Sequence, residues 1–416
     1  MFSVFENYKY SMIKVSNHFH IELKNGYKGI HGKITELRIL NALQSGNSEY
    51  AKKLSTVLIN KKNIFGYYHY SFVNFLYGDY EEALKLINYF NNNIAFFPEA
   101  FYLKAEILTK LTRKKEAWEV LEEISYRLKR LKTWLYMANI VDSKEDFYRL
   151  EENYKRFLTC KMVSKFNLAL SEYLALGALR GKLYDESINI WRETFNKIRY
   201  NPSLIDSKNK FKKKYFTTKQ ASQALSDLRE ILDKANIEMF LISGTLLGCI
   251  RNNRLLGYDK DIDIGVWDSV NRLELIKSLQ ISGKFLLLPM RTINTIRVKH
   301  INGIPIDIFI HYEKDKKYWH EGVKMRWYND LFTLNYVDFL GKKYLIPSNY
   351  DHYLTENYGN WHITKVDFDS TYDTPNGLIL NIHEYIAYTY KMAVINYNNE
   401  KYDIYLNILQ QNGENI

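Results

Sequence analysis

Apolar residues recur with a helical period through the first half of the chain. In the segment GDYEEALKLINYF, Ala83, Leu86, Ile87 and Phe90 fall on one helical face at spacings of three and four. The segment TRKKEAWEV, which contains Ala117, repeats this pattern. Further helices are predicted before these two, over residues 68–77 and 99–111. The pattern therefore predicts an all-helical structure up to about residue 205.

A small residue recurs inside the helical half. The small residues are Ala51, Ala83, Ala117 and Ser187, which lie 32, 34 and 70 residues apart, the last interval being two periods of 35. The copy expected between the last two, near 150–154, is poorly recognisable. Two helices in about 34 residues, with a small residue where they cross, are typical of tetratricopeptide (TPR) repeats. A helical bundle without repeats remains the alternative.

The hydrophobic pattern changes beyond residue 205. A helix predicted over 218–235 is followed by strand-like runs at DIDIGV, KFLLLP, TIRVKHI and IPIDIFIHY, with Gly-rich turns between them. The fold class is therefore predicted to be multi-domain. An all-α, TPR-like helical-repeat domain over 1–205 precedes an α/β domain with a mixed sheet over 206–416. The boundary falls in the polar, lysine-rich stretch YNPSLIDSKNKFKKKYF.

Composition limits the classes of partner. A length of 416 residues fits two domains, and a formal net charge of +11 favours an anionic partner. The lysines of 208–214 fit either a solvated linker or a contact with a membrane or another polyanion. Cys160 and Cys249 are too far apart to suggest a disulfide framework. No secretory or membrane-spanning segment is recognisable, so we expect a cytoplasmic protein.

The segment YDKDIDIGV carries three acidic residues in alternation. If it forms a strand, Asp259, Asp261 and Asp263 lie on one face, because side chains at i, i+2 and i+4 point the same way. Three carboxylates at such close range repel one another unless a cation neutralises them. Mg²⁺ or Mn²⁺ is the expected ion, since hard cations favour carboxylate oxygens. An exposed edge strand is the alternative.

A fourth acidic residue lies in a later apolar strand. Asp307 stands alone among Ile306, Ile308 and Ile310, and an acid in such a strand needs a partner or a metal. We therefore expect Asp307 to join the other three aspartates as a metal ligand. Taken alone, it fits an exposed strand position equally well.

Candidate phosphate ligands surround the acidic segment. The turn SGT, with Gly244 and Thr245, follows an apolar run and opens a predicted helix, whose N-terminus favours an anion. Arg251, two helical turns later, can bind phosphate oxygens through its guanidinium. Lys299 is a weaker candidate. An ordinary strand–helix turn and a surface salt bridge are the alternatives for the first two features.

The order of these segments resembles the nucleotidyltransferase fold. Within it, GTLLGCIRNNRLLGYDKDIDIGV is similar to the signature of the LicD family, which includes fukutin and fukutin-related protein. The aromatic residue that the family places before the acids corresponds to Tyr258, whereas Lys260 stands where the family often has Asp. The segment YLIPSNYDHYLTENYGNW also resembles the family. The similarity covers about residues 215–365.

This resemblance implies a metal-dependent phosphotransferase. Such enzymes move phosphocholine, ribitol phosphate or glycerol phosphate from a CDP-linked donor to a hydroxyl of a glycan or lipid-linked glycan, as in capsule or teichoic acid synthesis. The resemblance implies that Asp259, Asp261, Asp263 and Asp307 form the catalytic and metal-binding set, with Asp307 as the base. Gly244, Thr245, Arg251 and Lys299 would hold the donor phosphates.

The helical half suggests partners of its own. We expect its repeats to bind polysaccharide-synthesis enzymes or the growing acceptor. Peripheral contact with the inner face of the membrane remains open.

Two other functions remain open. The first is transfer of a nucleoside monophosphate to RNA or protein, although no RNA-binding module is recognisable and a nucleic-acid partner is not expected. The second is a non-catalytic scaffold.

Overall fold

The computed structural model describes residues 30–159, 166–204, 217–259 and 261–416. The described part up to residue 204 is helical, as predicted. Its ten α-helices are α1 (Ile30–Gln44), α2 (Ser48–Asn60), α3 (Phe65–Leu76), α4 (Tyr80–Asn92), α5 (Pro98–Lys110), α6 (Lys114–Arg127), α7 (Leu131–Ile140), α8 (Lys144–Thr159), α9 (Leu168–Arg180) and α10 (Tyr184–Tyr200). Cys160, the lysines of 208–214 and the predicted boundary at 205/206 lie outside the described residues.

The small residues of the helical half occupy equivalent places. Ala51, Ala83, Ala117 and Ser187 lie early in α2, α4, α6 and α10, and all four are fully buried. The turn before each of these helices contains a residue with positive φ, at positions 46, 78, 112 and 182. The periodic pattern therefore corresponds to a repeated turn and a repeated packing position. Assignment of the helices to the TPR class stays a prediction.

The second half contains a mixed sheet with flanking helices, which confirms the predicted fold class. Its helices are α11 (Thr218–Lys234), α12 (Ser243–Asn252), α13 (Arg272–Ile281), α14 (Tyr350–Tyr358), α15 (Ile382–Ile395) and α16 (Tyr402–Gln411). Its strands are β1 (Phe240–Leu241), β2 (Ile262–Trp267), β3 (Phe285–Leu287), β4 (Thr295–His300), β5 (Pro305–Lys314), β6 (Lys317–Glu321), β7 (Met325–Asp330), β8 (Leu334–Phe339), β9 (Lys342–Pro347) and β10 (Gly377–Ile379). Among the described helices, none is long and apolar enough to cross a membrane.

The strands are ordered β10-β7-β6-β5-β2-β1-β9-β8, and β4 joins β3 to β5 outside this path. Strand β5 is central, because its first half pairs parallel to β2 and antiparallel to β4. Its last residues pair with β6 instead. Strand β5 thus connects β2 to the β6–β7 hairpin.

One face of β2 and β5 forms the core. The alternating residues Ile262, Ile264 and Val266 are buried on β2, as are Ile306, Ile308 and Ile310 on β5. They belong to the same hydrophobic cluster as Leu225 and Leu228 of α11 and Leu275 of α13. Because strand side chains alternate, Asp263 and Asp307 belong to the opposite face.

The chain divides into two compact units that cut across the sequence halves. Of the residues that the structure describes, those within 113–204 and 379–416 form one unit, and those within 30–112 and 217–378 form the other. Helices α1–α5 therefore group with the sheet, and helices α15 and α16 group with α6–α10. The predicted boundary at 205/206 concerns independent folding and stays a prediction.

Within the unit that holds the sheet, residues of the α3–α4 turn, α4 and α5 contact the segment from α13 to β3. A Cβ at Gly283 would lie 2.5 Å from the Tyr77 ring, so the backbone of this turn touches that ring. Gln280 Nε2 donates to Tyr80 Oη at 2.7 Å. Lys110 Nζ donates to the Leu287 carbonyl at 3.4 Å. These contacts connect α3, α4 and α5 to the segment from α13 to β3.

A buried polar group lies beside the turn between α1 and α2. Asp227 of α11 accepts hydrogen bonds from Lys284 Nζ at 2.6 Å and from His300 Nε2 at 3.0 Å. Burial opposes the negative charge, but the bonds from His300, Lys284 and Gln223 lower the Asp227 pKa to about 2. A Cβ at Gly46 would meet Asp227 Oδ2 at 3.1 Å, so this carboxylate lies against the turn.

In the other unit, the last two helices pack on α9 and α10. Arg192 of α10 donates to Glu414 at 2.6 Å, and Glu414 also accepts from Tyr390 Oη at 2.6 Å. Phe195 packs edge-on against Tyr390 with ring centroids 5.8 Å apart. The final helices thus complete the packing of α10.

Candidate functional site

Asp263 and Asp307 face each other across two neighbouring strands. Strands β2 and β5 pair in parallel with Asp263 opposite Asp307, so both carboxylates lie on the face away from the isoleucine core. The sequence-based prediction that a single strand presents Asp259, Asp261 and Asp263 is wrong in its bounds, because β2 begins at Ile262. Asp261 immediately precedes β2, and Asp259 lies in the turn before it.

The four aspartates nevertheless form one electrostatic group, which we call the acid cluster: Asp259, Asp261, Asp263 and Asp307. Burial raises the pKa of Asp263 well above its ordinary value, and the charges of Asp261, Asp259 and Asp307 raise it further. The four acids that the sequence nominated thus lie close enough for three of them to raise the pKa of the fourth, Asp263, although they come from a turn and two strands.

The turn between β1 and α12 shapes the acid cluster. Ser243 has a φ of +48°, which directs the chain abruptly into the helix. The Gly244 N–H donates to the Asp263 carboxylate, which partly offsets the rise in its pKa. A Cβ at Gly244 would lie 2.2 Å from Asp259 Oδ2, so only glycine fits there without displacing this acid. The first helical turn therefore holds carboxylates.

Thr245 occupies a buried position beside the same acids. Its Oγ1 accepts a hydrogen bond from the Asp263 backbone N–H at 2.9 Å. This bond ties the start of α12 to β2. The observed contact of Thr245 is thus with the strand, and its predicted contact with a donor phosphate stays a proposal.

The donor set fits a divalent metal ion. Four carboxylates offer the oxygen ligands that Mg²⁺ and Mn²⁺ prefer. Burial and the charges of the other three acids raise the pKa of Asp263, and a cation among them would favour its charged form. The assignment of a metal ion to Asp259, Asp261, Asp263 and Asp307 stays a proposal.

Arg297 is a site residue that the sequence analysis missed. It lies on β4 directly opposite Asp307, and its Nε donates to Asp307 Oδ1 at 3.0 Å. Partial burial opposes the positive charge of Arg297, but the negative charges of Asp307, Asp261 and Asp263 outweigh it and raise the Arg297 pKa. The alternation in TIRVKH predicted a strand, but it did not predict which strand would pair with it or that Arg297 would lie opposite Asp307.

Arg251 contacts the residue that precedes Asp259 and two segments outside the acid cluster. Its Nη2 donates to Tyr258 Oη at 2.7 Å and its Nη1 to the Trp361 carbonyl at 3.0 Å. Its Nε donates to Asn252 Oδ1 at 3.1 Å. Arg251 therefore joins α12 to the turn that precedes Asp259 and to the chain after α14.

The segment after β9 also reaches the acid cluster. Tyr358 ends α14, and burial raises its pKa, as do the charges of Asp263 and Asp259. Tyr353 on the same helix is buried, and both burial and the charge of Asp263 raise its pKa. Two tyrosines of α14, Tyr353 and Tyr358, thus lie close enough to Asp263 for its charge to raise their pKa values.

Lys299 lies two residues after Arg297 on β4, opposite Pro305 of β5. It is buried, unlike the half-exposed Arg297 side chain. Its predicted role as a phosphate ligand stays a proposal.

A second group with metal-ligand character lies outside the acid cluster. Single ligand atoms of Asp330, His352 and Glu356 all lie within 4.8 Å of one another. These residues already bind one another and their neighbours: His352 Nε2 lies 2.9 Å from Asp330 Oδ2, and Lys317 lies 3.2 Å from the same carboxylate. The group therefore has the geometry of an exposed ion-pair network.

The chain is similar to known proteins. Residues 236–349 match the family described as LicD/FKTN/FKRP, nucleotidyltransferase domain. The chain is 27% identical over 168 residues to ribitol-5-phosphate transferase FKTN of Macaca fascicularis, and the alignment covers 38% of this chain and 36% of that protein. The corresponding Homo sapiens protein is 26% identical with the same coverage. The uncharacterized protein RP689 of Rickettsia prowazekii is 28% identical over 130 residues, which are 30% of this chain and 46% of that protein.

The matched range contains the acid cluster. It includes α12, β2 and β5, and with them all four aspartates. The chain spans about a third of the length of the FKTN proteins that it matches. The predicted resemblance to a LicD/fukutin-type domain is confirmed.

Proposed function

We propose that this chain is a divalent-metal-dependent phosphotransferase that moves a phosphorylated alcohol from a CDP-linked donor to a glycan hydroxyl. One observation carries the proposal: Asp263 and Asp307 lie in register on neighbouring strands, beside the N-terminus of α12. Carboxylates on adjacent strands, together with a helix N-terminus, suit a bound metal ion and a diphosphate. The match to the LicD/FKTN/FKRP nucleotidyltransferase domain supports the same reaction class.

The proposed reaction breaks the phosphoanhydride bond of the donor and forms a phosphodiester with the acceptor. The acceptor hydroxyl oxygen forms a bond to the phosphorus that carries the alcohol, and the bond from this phosphorus to the CMP phosphate breaks. CMP leaves with the bonding electrons. The hydroxyl proton passes to a carboxylate, for which we propose Asp307.

The protein's task in this reaction is to position groups and to stabilise charge. A bound divalent ion would supply charge neutralisation for the phosphate oxygens. The Gly244 N–H and Thr245 hydroxyl fix Asp263 on β2 from two sides. Arg251 fixes the turn at Tyr258, which precedes Asp259. Such a fixed arrangement accelerates transfer because the charges need little rearrangement as the bonds change.

The relatives indicate which alcohol to test first. The FKTN proteins are named ribitol-5-phosphate transferases, and we propose ribitol phosphate ahead of glycerol phosphate and phosphocholine. The proposed acceptor is a hydroxyl of a free or lipid-linked glycan.

A donor screen tests the proposal. CDP-ribitol, CDP-glycerol and CDP-choline would each be incubated with the full chain and a glycan acceptor, with and without Mg²⁺, and CMP release would be followed. We expect metal-dependent CMP release from one donor, with the alcohol phosphate on the acceptor. Transfer of CMP itself to the acceptor, with release of the phosphorylated alcohol, would establish nucleotidyl transfer instead. No turnover of any donor would contradict the proposed reaction.

A further inference from the structure

Arg297 lies in line with the two strand-borne acids. Asp263 pairs with Asp307 across β2 and β5, and Asp307 pairs with Arg297 across β5 and β4. The three side chains therefore share one rung and one face of the sheet. The Asp307 side chain is 15% exposed, whereas the Arg297 side chain is 46% exposed. The guanidinium thus lies at the solvent side of the acid cluster.

The contact with Asp307 engages one side of the Arg297 guanidinium. Nε donates to Asp307 Oδ1 at 3.0 Å. A guanidinium presents five N–H groups in a rigid plane, so a bond through Nε orients the remaining donors. A planar, oriented guanidinium matches two oxygens of one phosphate.

The two cations nominated from sequence are placed differently. Arg251 uses all three of its nitrogens on Asn252, Trp361 and Tyr258. Lys299 is buried. Arg297, in contrast, is half-exposed and directly contacts Asp307 of the acid cluster.

We propose that Arg297 binds a phosphate of the donor while its Nε remains on Asp307. This inference rests on the proposed function, because it assigns a ligand to the same site. Four carboxylates repel a diphosphate, and a fixed cation beside them reduces that repulsion. The same guanidinium stabilises the negative charge that gathers on the leaving CMP phosphate.

A purely structural role for Arg297 has a different signature. If the guanidinium only shielded Asp307 from the other acids, its removal would free a carboxylate for metal and leave donor affinity unchanged. If it binds phosphate, its removal weakens ligands that carry a diphosphate and spares a ligand that carries no phosphate.

The test compares equilibrium binding to the full chain. Arg297→Gln and Arg297→Lys would be titrated by calorimetry with CDP, CMP and cytidine in saturating Mg²⁺, and separately with Mn²⁺ alone. We expect Arg297→Gln to weaken CDP binding about tenfold or more, as the loss of a charged hydrogen bond implies. Cytidine affinity should be unchanged, and Arg297→Lys should recover part of the loss.

Arg229→Gln is the matched control. Arg229 also donates through Nε to a carboxylate, that of Asp233 at 2.9 Å, but it lies on α11. Its replacement should leave CDP affinity unchanged. Thermal unfolding followed by circular dichroism would establish that each variant folds.

The outcomes separate this inference from the proposed function. Binding of CDP to Arg297→Gln with the parent affinity would overturn the phosphate contact, as would an equal loss of cytidine binding. Tighter Mn²⁺ binding with unchanged CDP affinity would establish the shielding role instead. A parent protein that binds no CDP in the presence of Mg²⁺ would overturn the proposed donor and this inference together.

Discussion

At the scale of single residues, the acid cluster depends on charge more than on shape. Replacing Asp261 or Asp263 by Asn keeps the size of the side chain but removes a negative charge that the proposed metal ion requires. We expect each variant to lose roughly 10²-fold or more in turnover, at least about 2.7 kcal/mol of transition-state stabilisation. CMP release at saturating Mg²⁺ would measure the loss.

Asp268→Asn provides the comparison for these two variants. Asp268 is exposed and lies just beyond β2. Its replacement should keep turnover close to that of the parent. Near-normal turnover by both Asp261→Asn and Asp263→Asn would show that the reaction takes place elsewhere.

Gly244 tests the packing of the acid cluster rather than its charge. In Gly244→Ala the new methyl would lie 2.2 Å from Asp259 Oδ2, so the carboxylate or the helix must move. We expect Mn²⁺ affinity to fall roughly tenfold, in the range found when groups that support metal ligands are altered. Calorimetric titration with Mn²⁺ would measure it.

Gly257 is the control for this change. A Cβ at Gly257 meets nothing within 4 Å, so Gly257→Ala should bind Mn²⁺ like the parent. Equal affinities for Gly244→Ala and the parent would mean that Asp259 is not a ligand.

At the scale of elements, the sequence predicted the parts that alternation determines. Ile306, Ile308 and Ile310 alternate with Asp307 in the sequence, and β5 buries the isoleucines as expected. The helix over 218–235 was predicted from its regular apolar face, and the helix after Ile242 was predicted from the turn signal at its start. The identity of the acid cluster followed from these elements.

Pairing and register could not be read from the sequence. Arg297 meets Asp307 only because β4 returns antiparallel to β5, and no local pattern specifies that return. Asp259 and Asp261 precede β2, so they do not lie on the strand that their alternation predicted. Strands β6 to β10 were not predicted, because their half-buried residues alternate too weakly to be recognised.

The face of β5 beyond Asp307 carries a pH-sensitive element. His311 and His320 stack with ring centroids 4.5 Å apart, and both are buried. Burial lowers the His311 pKa to about 4 and lowers that of His320 well below its ordinary value, with His311 lowering it further. Phe240 and Trp327 pack against these rings.

Acid should therefore destabilise the fold through these histidines. Between pH 6.5 and about 4 the unfolded chain binds protons that the folded chain does not, so stability is complete above pH 6.5 and falls as the pH decreases. For His311 alone the loss between pH 7 and pH 5 is about 2 kcal/mol. Urea unfolding at several pH values would measure it.

Variants separate this effect from general acid sensitivity. His311→Gln should reduce the slope of stability against pH, whatever its effect at pH 7. His362→Gln, at an exposed position, should leave the slope unchanged. An identical slope in His311→Gln and the parent would contradict the assignment.

At the scale of the whole molecule, the first five helices are part of the unit that carries the site. Gly283 has positive φ, and a Cβ there would lie 2.5 Å from the Tyr77 ring. Gly341 also has positive φ, but its surroundings are open. Both alanine variants lose stability because alanine is strained at positive φ. Only Gly283→Ala also disturbs the contact with the turn between α3 and α4.

We therefore expect Gly283→Ala to lose about 1–3 kcal/mol more stability than Gly341→Ala. Chemical unfolding at pH 7 would give both values. Equal losses would mean that the contact between the helices and the sheet segment contributes little to folding.

The packing of α15 on α10 has a consequence for how the chain is made. Helix α10 ends at Tyr200, and its partner α15 begins at Ile382, about 180 residues later. At roughly 5–20 residues per second, the ribosome needs some 10–35 seconds to deliver that partner. During this interval Phe195 and its neighbours on α10 have no native cover from α15. A nascent chain of this protein therefore presents an apolar helix surface to chaperones for as long as the sheet is being synthesised.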